Sequence, residues 1–476
     1  MIAADFRALS PLLFVAGAAI AAMLGIALRR NTGQTLAITL AGLAGALCSL
    51  WWAGQGAPRF IPPLLTVDRY AIFYMGLILA ASAAFALLSF DYFAKCEGDH
   101  EEIYVLMLVG TFGAMVLVAS SHLISLFLGL ELLSVALYGM IAYLRTRPLP
   151  VEAGLKYLVL AAISAAFLLF GIALIYSALG TMELRDLATK FLPEAAFDRS
   201  LALSGIALIV TGLGFKLALV PFHLWTPDVY EGAPAPVSAY IATVSKGAVF
   251  AVLLRYFHGR ILETPSVFLV FSAIAIASMI VGNLLALMQV NLKRILAYSS
   301  IAHLGYMLIA FEAGGDLGAA AVTFYLAAYF VTTLGAFGII SILSNGERES
   351  PTIESYRGLF WRRPVLAVIF TAMLLSLAGI PITAGFIAKF YVLAAGASSA
   401  RWALIITLVI TSAIGLYYYL RVVVALYGTV DRQVAADRLA LIPKLLLGTL
   451  TVLLVWFGVF PGGLLDVIHA AVAGLT

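Results

Sequence analysis

Apolar residues run through this chain in long stretches broken by short clusters of Gly, Pro and charge, without the period-two alternation of a membrane barrel strand. A run near 20 residues, wound as α-helix, crosses a hydrocarbon core of about 30 Å. Such runs lie at residues 9–28, 36–54, 70–91, 103–120, 122–143, 155–178, 202–222, 236–257, 266–288, 294–312, 318–343, 365–395, 400–428 and 440–460, about fourteen spans at that length. The predicted fold is an all-α polytopic membrane bundle, because in lipid a helix satisfies its own backbone groups.

Two of these spans are interrupted. The stretch from Thr211 to Lys246, TGLGFKLALVPFHLWTPDVYEGAPAPVSAYIATVSK, carries Lys216 in an apolar run and breaks at Pro221. It then passes Pro227, Gly232, Pro234 and Pro236 before re-entering apolar sequence at Lys246. The twelfth span breaks at Gly379-Ile380-Pro381, with Gly385 just beyond, and carries Lys389. Glu131 and His303 are 172 residues apart and Lys216 and Lys389 are 173 apart. Matching offsets and matching breaks predict two five-helix repeats, spans four to eight and nine to thirteen. An odd number of spans per repeat makes the second inverted. The division that follows is 1–100 for spans one to three, 101–260 and 261–430 for the repeats, and 431–476 for the last span. A proline removes an intrahelical hydrogen bond and frees carbonyls, which at membrane depth must line a protein-buried or hydrated cavity.

Composition agrees: 63% of the residues are hydrophobic and 11% charged, against roughly 45 to 50% and 25% in soluble domains. The first run resembles a secretory signal, but its leader sets a single Arg7 against Asp5, so it reads as a retained helix. Cys48 and Cys96 match no metal or haem spacing, and no strand-preceded Gly-rich phosphate loop is present. Metal, haem and nucleotide binding are therefore not expected of this chain.

Charge sets the expected orientation. Of the 28 lysines and arginines, 16 fall in loops after odd-numbered spans, among them Arg348, Arg432 and Arg438, and 9 on the opposite side, among them Lys190 and Arg260. The positive-inside rule then places both termini outside. The remaining three are Lys216, Lys246 and Lys389, each within a span. Every Asp and Glu falls in or beside a loop except Glu131, nine residues past His122 and fourteen before Arg145, which puts it near mid-membrane.

A lysine at the bilayer centre costs about 2.5 to 3.5 kcal/mol on insertion scales, and three on separate helices need a reason. One reason is proton relay: burial disfavours the charged ammonium and brings it within reach of neutral pH, while a carboxylate such as Glu131 pulls the other way. The alternatives are snorkelling to an interface or static ion pairing. His303, nine residues beyond Arg294, suits proton shuttling by its ordinary titration range or, alternatively, a packed core role. His223 and Asp228 flank the first break and are candidates either to feed protons inward or to be ordinary surface residues. Lys293 and Arg294 read as interfacial anchors in preference to relay members, and Tyr417, Tyr418 and Tyr419 as aromatic packing in preference to hydrogen-bonding groups of a channel.

The segments FKLALVPFHLWTPDVYEGAPAPVSAYIATVSK, NLKRILAYSSIAHLGYM and GIPITAGFIAKFYVL resemble the antiporter-like membrane subunits of proton-pumping NADH:quinone oxidoreductase, respiratory complex I. The resemblance covers spans four to thirteen and fits the N-type subunits. M-type subunits are expected to carry glutamate at the position of Lys389, and no long lateral helix of the L type follows the last span. The related sodium/proton antiporters share PFHLWTPD, and membrane-bound hydrogenase complexes use similar subunits. The resemblance implies a Glu131–Lys216 pair, a central Lys246, His303 and an exit-side Lys389 as the proton relay. It also implies a multi-pass protein of the bacterial inner membrane, working beside a neighbouring antiporter-like subunit and small membrane subunits. Flavin, iron–sulphur clusters and quinone are then expected in partner subunits, with no cofactor, metal or nucleic acid bound here.

Overall fold

A computed structural model of the chain describes residues 3–190, 198–257, 264–344, 349, 352–429, 441–473 and 475, with the side chains of 188–190 excepted. The loop cations Arg260, Arg348, Arg432 and Arg438, and the Lys190 side chain, therefore lie outside the described residues. The first helices are α1 (Ala3–Leu28), α2 (Thr32–Gly54), α3 (Arg69–Phe93), α4 (Glu102–Val118), α5 (Leu123–Ile141) and α6 (Pro148–Leu179). A short α7 (Leu184–Lys190) precedes α8 (Arg199–Leu217), α9 (Trp225–Gly232) and α10 (Ala235–Tyr240), which a π-helical turn (Ile241–Ser245) joins to α11 (Lys246–Phe257). The chain continues through α12 (Pro265–Leu287), α13 (Leu292–Ala313), α14 (Gly315–Leu343), the one-turn α15 (Leu359–Arg362), α16 (Pro364–Ala378), α17 (Ala384–Ser398), α18 (Trp402–Tyr427), α19 (Leu441–Val459) and α20 (Gly462–Val472).

Twelve described helices, counting the continuous run Ala235–Phe257 as one, are long and apolar enough to cross a membrane. α4 at 17 residues, and α16 with α17 at 15 each, supply the fourth and twelfth spans. The expected fourteen are thereby accounted for. Three features were not expected: the amphipathic α20, the α7 helix, and an antiparallel hairpin pairing β1 (Arg59–Ile61) with β2 (Leu65–Val67). The seventh span also ends earlier than its apolar run, at Leu217 rather than residue 222.

Local chemistry explains the helix boundaries. Side chains of Asn31, Asp68, His122, Asp198 and Asn291 accept backbone N–H bonds at the starts of α2, α3, α5, α8 and α13; each such cap stabilises by about 1 kcal/mol. Pro148, Pro265 and Pro364 open α6, α12 and α16, where a missing N–H removes nothing.

Helices meet at small residues, as membrane packing requires. A Cβ on Gly113 of α4 would come within 2.7 Å of the Leu133 nitrogen and 2.9 Å of the Gly129 oxygen on α5. The same crossing recurs in the second repeat, where a Cβ on Gly282 of α12 would lie 2.7 Å from the Ala302 nitrogen on α13. The run Ala235–Phe257 is buried along its whole length and α13 and α14 nearly so, whereas α1, α2 and α19 show most of their surface outward. The buried helices are those that carry Lys246 and His303.

Candidate functional site

The two broken spans end their first halves alike. α8 closes with Ala218 in the left-handed conformation (φ 60°), the Leu219 N–H reaching the Gly214 carbonyl at 2.9 Å and the Ala218 N–H reaching Phe215 at 2.9 Å. α16 closes with Gly379 (φ 86°), the Ile380 N–H reaching the Leu375 carbonyl at 3.0 Å. Both are Schellman-type caps, which consume carbonyls that the break frees.

Lys216 lies one residue before the end of α8. Its ammonium is buried and donates to Ser134 Oγ on α5 at 2.6 Å, over the rings of Tyr157 (5.2 Å) and Phe215 (5.7 Å). Ser134 in turn donates to the Leu130 carbonyl at 2.6 Å. Glu131 stands one turn before Ser134 on the same helix, half-buried, with Oε1 buried and without a hydrogen-bond partner. No ion pair joins Glu131 to Lys216 among the described residues. In this structure the ammonium meets Ser134, one helical turn beyond Glu131.

Lys246 follows the π-helical turn at once and is 1% exposed. A π turn displaces the helix register by one residue and is frequent at functional sites. The Lys246 ammonium donates to Ser300 Oγ on α13 at 2.7 Å and faces the rings of Tyr230 (5.2 Å) and Trp225 (6.0 Å). Between Lys216 and Lys246 stands an aromatic wall in which Trp225 packs on Tyr157 at 4.9 Å and gives its indole N–H to the Phe215 carbonyl at 2.9 Å.

Beyond Lys246 the environment becomes polar. Ser299, beside Ser300, shares a short hydrogen bond with Tyr419. The Tyr419 hydroxyl also lies 3.1 Å from His303 Nε2, and Tyr325 lies 2.7 Å from His303 Nδ1. Neighbouring Tyr418 donates to Asn283 at 3.2 Å, and Asn283 donates to Tyr306 at 2.9 Å. The Tyr306 ring faces the Lys389 ammonium at 5.3 Å. Lys389 donates to Ser412 Oγ at 2.8 Å and, reaching back across its own break, to the Ala378 carbonyl at the end of α16 at 2.8 Å.

Residues 120–415 match the family described as NADH:quinone oxidoreductase/Mrp antiporter, TM. This chain belongs to that family. It is similar to a chain of respiratory complex I from Thermus thermophilus, at 34% identity over 97% of this chain and 99% of that one, with a TM-score of 0.83. A chain of the archaeal membrane-bound sulfane sulfur reductase (23% identity, 99% and 97% covered, TM-score 0.86) and one of the Mrp complex from Dietzia sp. DQ12-45-1b (22%, 99% and 97%, TM-score 0.85) share its fold.

Within this antiporter-family fold the structure places all three lysines and His303 among buried residues. It gives all four a hydroxyl-bearing neighbour, with Lys216 and Lys246 on either side of the aromatic wall. Of the three tyrosines read as packing or as channel hydrogen-bonders, Tyr418 and Tyr419 are hydrogen-bonded and Tyr417 is 64% exposed. Three consecutive tyrosines on a helix point about 100° apart, so the three do not share one environment. Lys293, expected as an interfacial anchor, is instead buried: it donates to the Ala233 carbonyl at 2.6 Å and pairs closely with Glu349. Glu349 in turn accepts the Ala235 N–H at 2.9 Å and so caps the helix bearing Lys246. Asp228 bridges Lys156 and Arg294, at 2.8 Å each. Burial alone would raise its carboxyl, but bonds and charge from Lys156 and Arg294 outweigh that and hold it below the ordinary 3.8. His223 is buried, with Nδ1 unpartnered. Glu312, counted with the loops by sequence, is buried in the last turn of α13, taking the Ser272 hydroxyl at 2.5 Å. Asn283, Tyr306 and Tyr325 also escaped sequence reasoning, since single polar residues on apolar helices carry no spacing signal.

Proposed function

We propose that this chain is the N-type proton-translocating subunit of a bacterial inner-membrane NADH:quinone oxidoreductase, with both termini outside. The observation that carries the reading is the series Lys246, Ser300/Ser299, Tyr419, His303, and then Tyr418, Asn283, Tyr306, Lys389: buried groups able to exchange protons, laid between the π-distorted helix and the second break. A proton enters from the basic face near the first break and reaches Lys216 or Lys246. It crosses through the hydroxyl and imidazole groups around His303 to Lys389 and leaves outward. Glu131 sets the charge preference of Lys216, which exchanges its Ser134 partner for the carboxylate when the pair is formed. Moving one charge against the membrane potential costs about 2.3 kcal/mol per 100 mV. That energy comes from redox chemistry at flavin, iron–sulphur clusters and quinone in partner subunits, including a neighbouring antiporter-like subunit and small membrane subunits.

The test is Lys216→Ala in the assembled complex. Proton uptake coupled to NADH oxidation should fall strongly while the complex still assembles; full pumping in a fully assembled variant removes the assignment. A second reading, a subunit of a sodium/proton antiporter or of a related membrane-bound hydrogenase complex, is supported by the fold shared with the Mrp complex. Sodium-dependent pH changes in vesicles lacking redox partners would favour its antiporter form.

A further inference from the structure

On the face that carries the loops after odd-numbered spans, α16 packs against α19 and leaves between them a groove of about 340 Å³. Its mouth is flanked by two cations, Arg363 just before α16 and Lys444 in the first turn of α19. Neither side chain has an ion-pair or hydrogen-bond partner among the described residues. That distinguishes them from Lys156, Lys293 and Arg294 on the same face, each matched to a carboxylate. Deeper in, the walls are apolar: Val365, Leu366, Ile369 and Leu447. From Val365 to Ile369 is one helical turn, about 6 Å of descent toward the membrane interior. Inward from the two cations the same helices show Val368, Leu445 and Val452 at 51%, 62% and 63% exposure, so the groove opens onto an apolar surface.

We infer that this groove is a binding site for an anionic phospholipid, with its phosphodiester between Arg363 and Lys444 and an acyl chain along Val365, Ile369 and Leu447. Two cations without a partner among the described residues call for an anion, and apolar walls running inward call for hydrocarbon; a phosphatidylglycerol-type lipid supplies both in one molecule. A zwitterionic lipid would bring its own cation against Arg363 and Lys444. The site lies apart from the three buried lysines and holds whether or not they carry protons.

The test places a fluorescent non-canonical amino acid at position 365, introduced by codon reassignment, in the whole complex in nanodiscs. Quenching by dibrominated phosphatidylglycerol is compared with quenching by dibrominated phosphatidylcholine. Phosphatidylglycerol should half-saturate the quench at a mole fraction at least tenfold lower. In the Arg363→Gln/Lys444→Gln variant that preference should vanish, since each interfacial cation is worth about fivefold. Equal quenching by the two lipids with both cations present, a preference that survives the double substitution, or no quenching by either because a protein neighbour fills the groove, would each overturn the site. The first comparison needs no charge variant, so misfolding of the double variant leaves it decisive.

Discussion

The two broken helices solve one problem in opposite ways. At the first break Leu219, Ala218 and the Trp225 indole cap the freed carbonyls, so Lys216 is left to bond the serine of another helix. At the second break the lysine is itself part of the cap: Lys389 comes from the far half of its helix and donates to the Ala378 carbonyl of the near half. A helix C-terminus carries partial negative charge; Lys216 belongs to the last turn of α8, and the Lys389 ammonium meets the last carbonyl of α16. Only at the second break does moving the lysine also strip a backbone carbonyl of its donor. The first lysine is thus held by a side-chain hydroxyl of another helix, and the second also by the backbone of its own break.

The largest effect that would break this comparison is on Lys389. Lys389→Met and Lys216→Met should both abolish coupled pumping, and both remove a buried ammonium. Lys389→Met also orphans a carbonyl, so it should unfold more readily by about 1 to 3 kcal/mol, read as the difference between the two in detergent-unfolding midpoint. Equal midpoints would mean that the second break does not depend on its lysine.

Next in size is the pair of left-handed caps. A Cβ on Gly379 would lie 2.7 Å from Lys389 Cδ, at a positive φ. Gly379→Ala should therefore cost about 1 to 2 kcal/mol in backbone strain and lower pumping several-fold by pushing Lys389 off its partners. Ala218→Gly, at a position where alanine already adopts that conformation, should leave pumping unchanged and shift stability by less than about 1 kcal/mol. Pumping that is insensitive to Gly379→Ala would separate the cap from the lysine.

The smallest effect sharpens the polar half against the aromatic half. Tyr419→Phe removes the hydroxyl shared by His303 and Ser299, and about 1 kcal/mol of hydrogen bonding. Pumping should slow a few-fold with stability little changed, whereas Tyr417→Phe on the exposed side of the helix should do nothing. Identical rates for the two variants would show that the hydroxyl network is packing alone.

Much of the bundle was legible in order of residues. Apolar runs of membrane length located the fourteen spans, since hydrocarbon thickness dictates helix length independently of neighbours. The nearly equal offsets between Glu131 and His303 and between Lys216 and Lys389 pointed to the repeat, and proline and glycine marked both breaks. Lysine in apolar sequence singled out Lys216, Lys246 and Lys389, because such a cost demands compensation wherever the helix packs. Partners could not be read the same way. Whether Lys216 meets Glu131 or Ser134, which of Tyr417, Tyr418 and Tyr419 turn inward, and how Lys389 caps a helix it does not belong to all depend on helix rotation and on contacts between residues up to 135 positions apart. Local sequence determined where the chain crosses the membrane and where charge is buried; only tertiary packing decided what each buried charge touches, because a hydrogen bond is set within a few tenths of an ångström by groups from different helices.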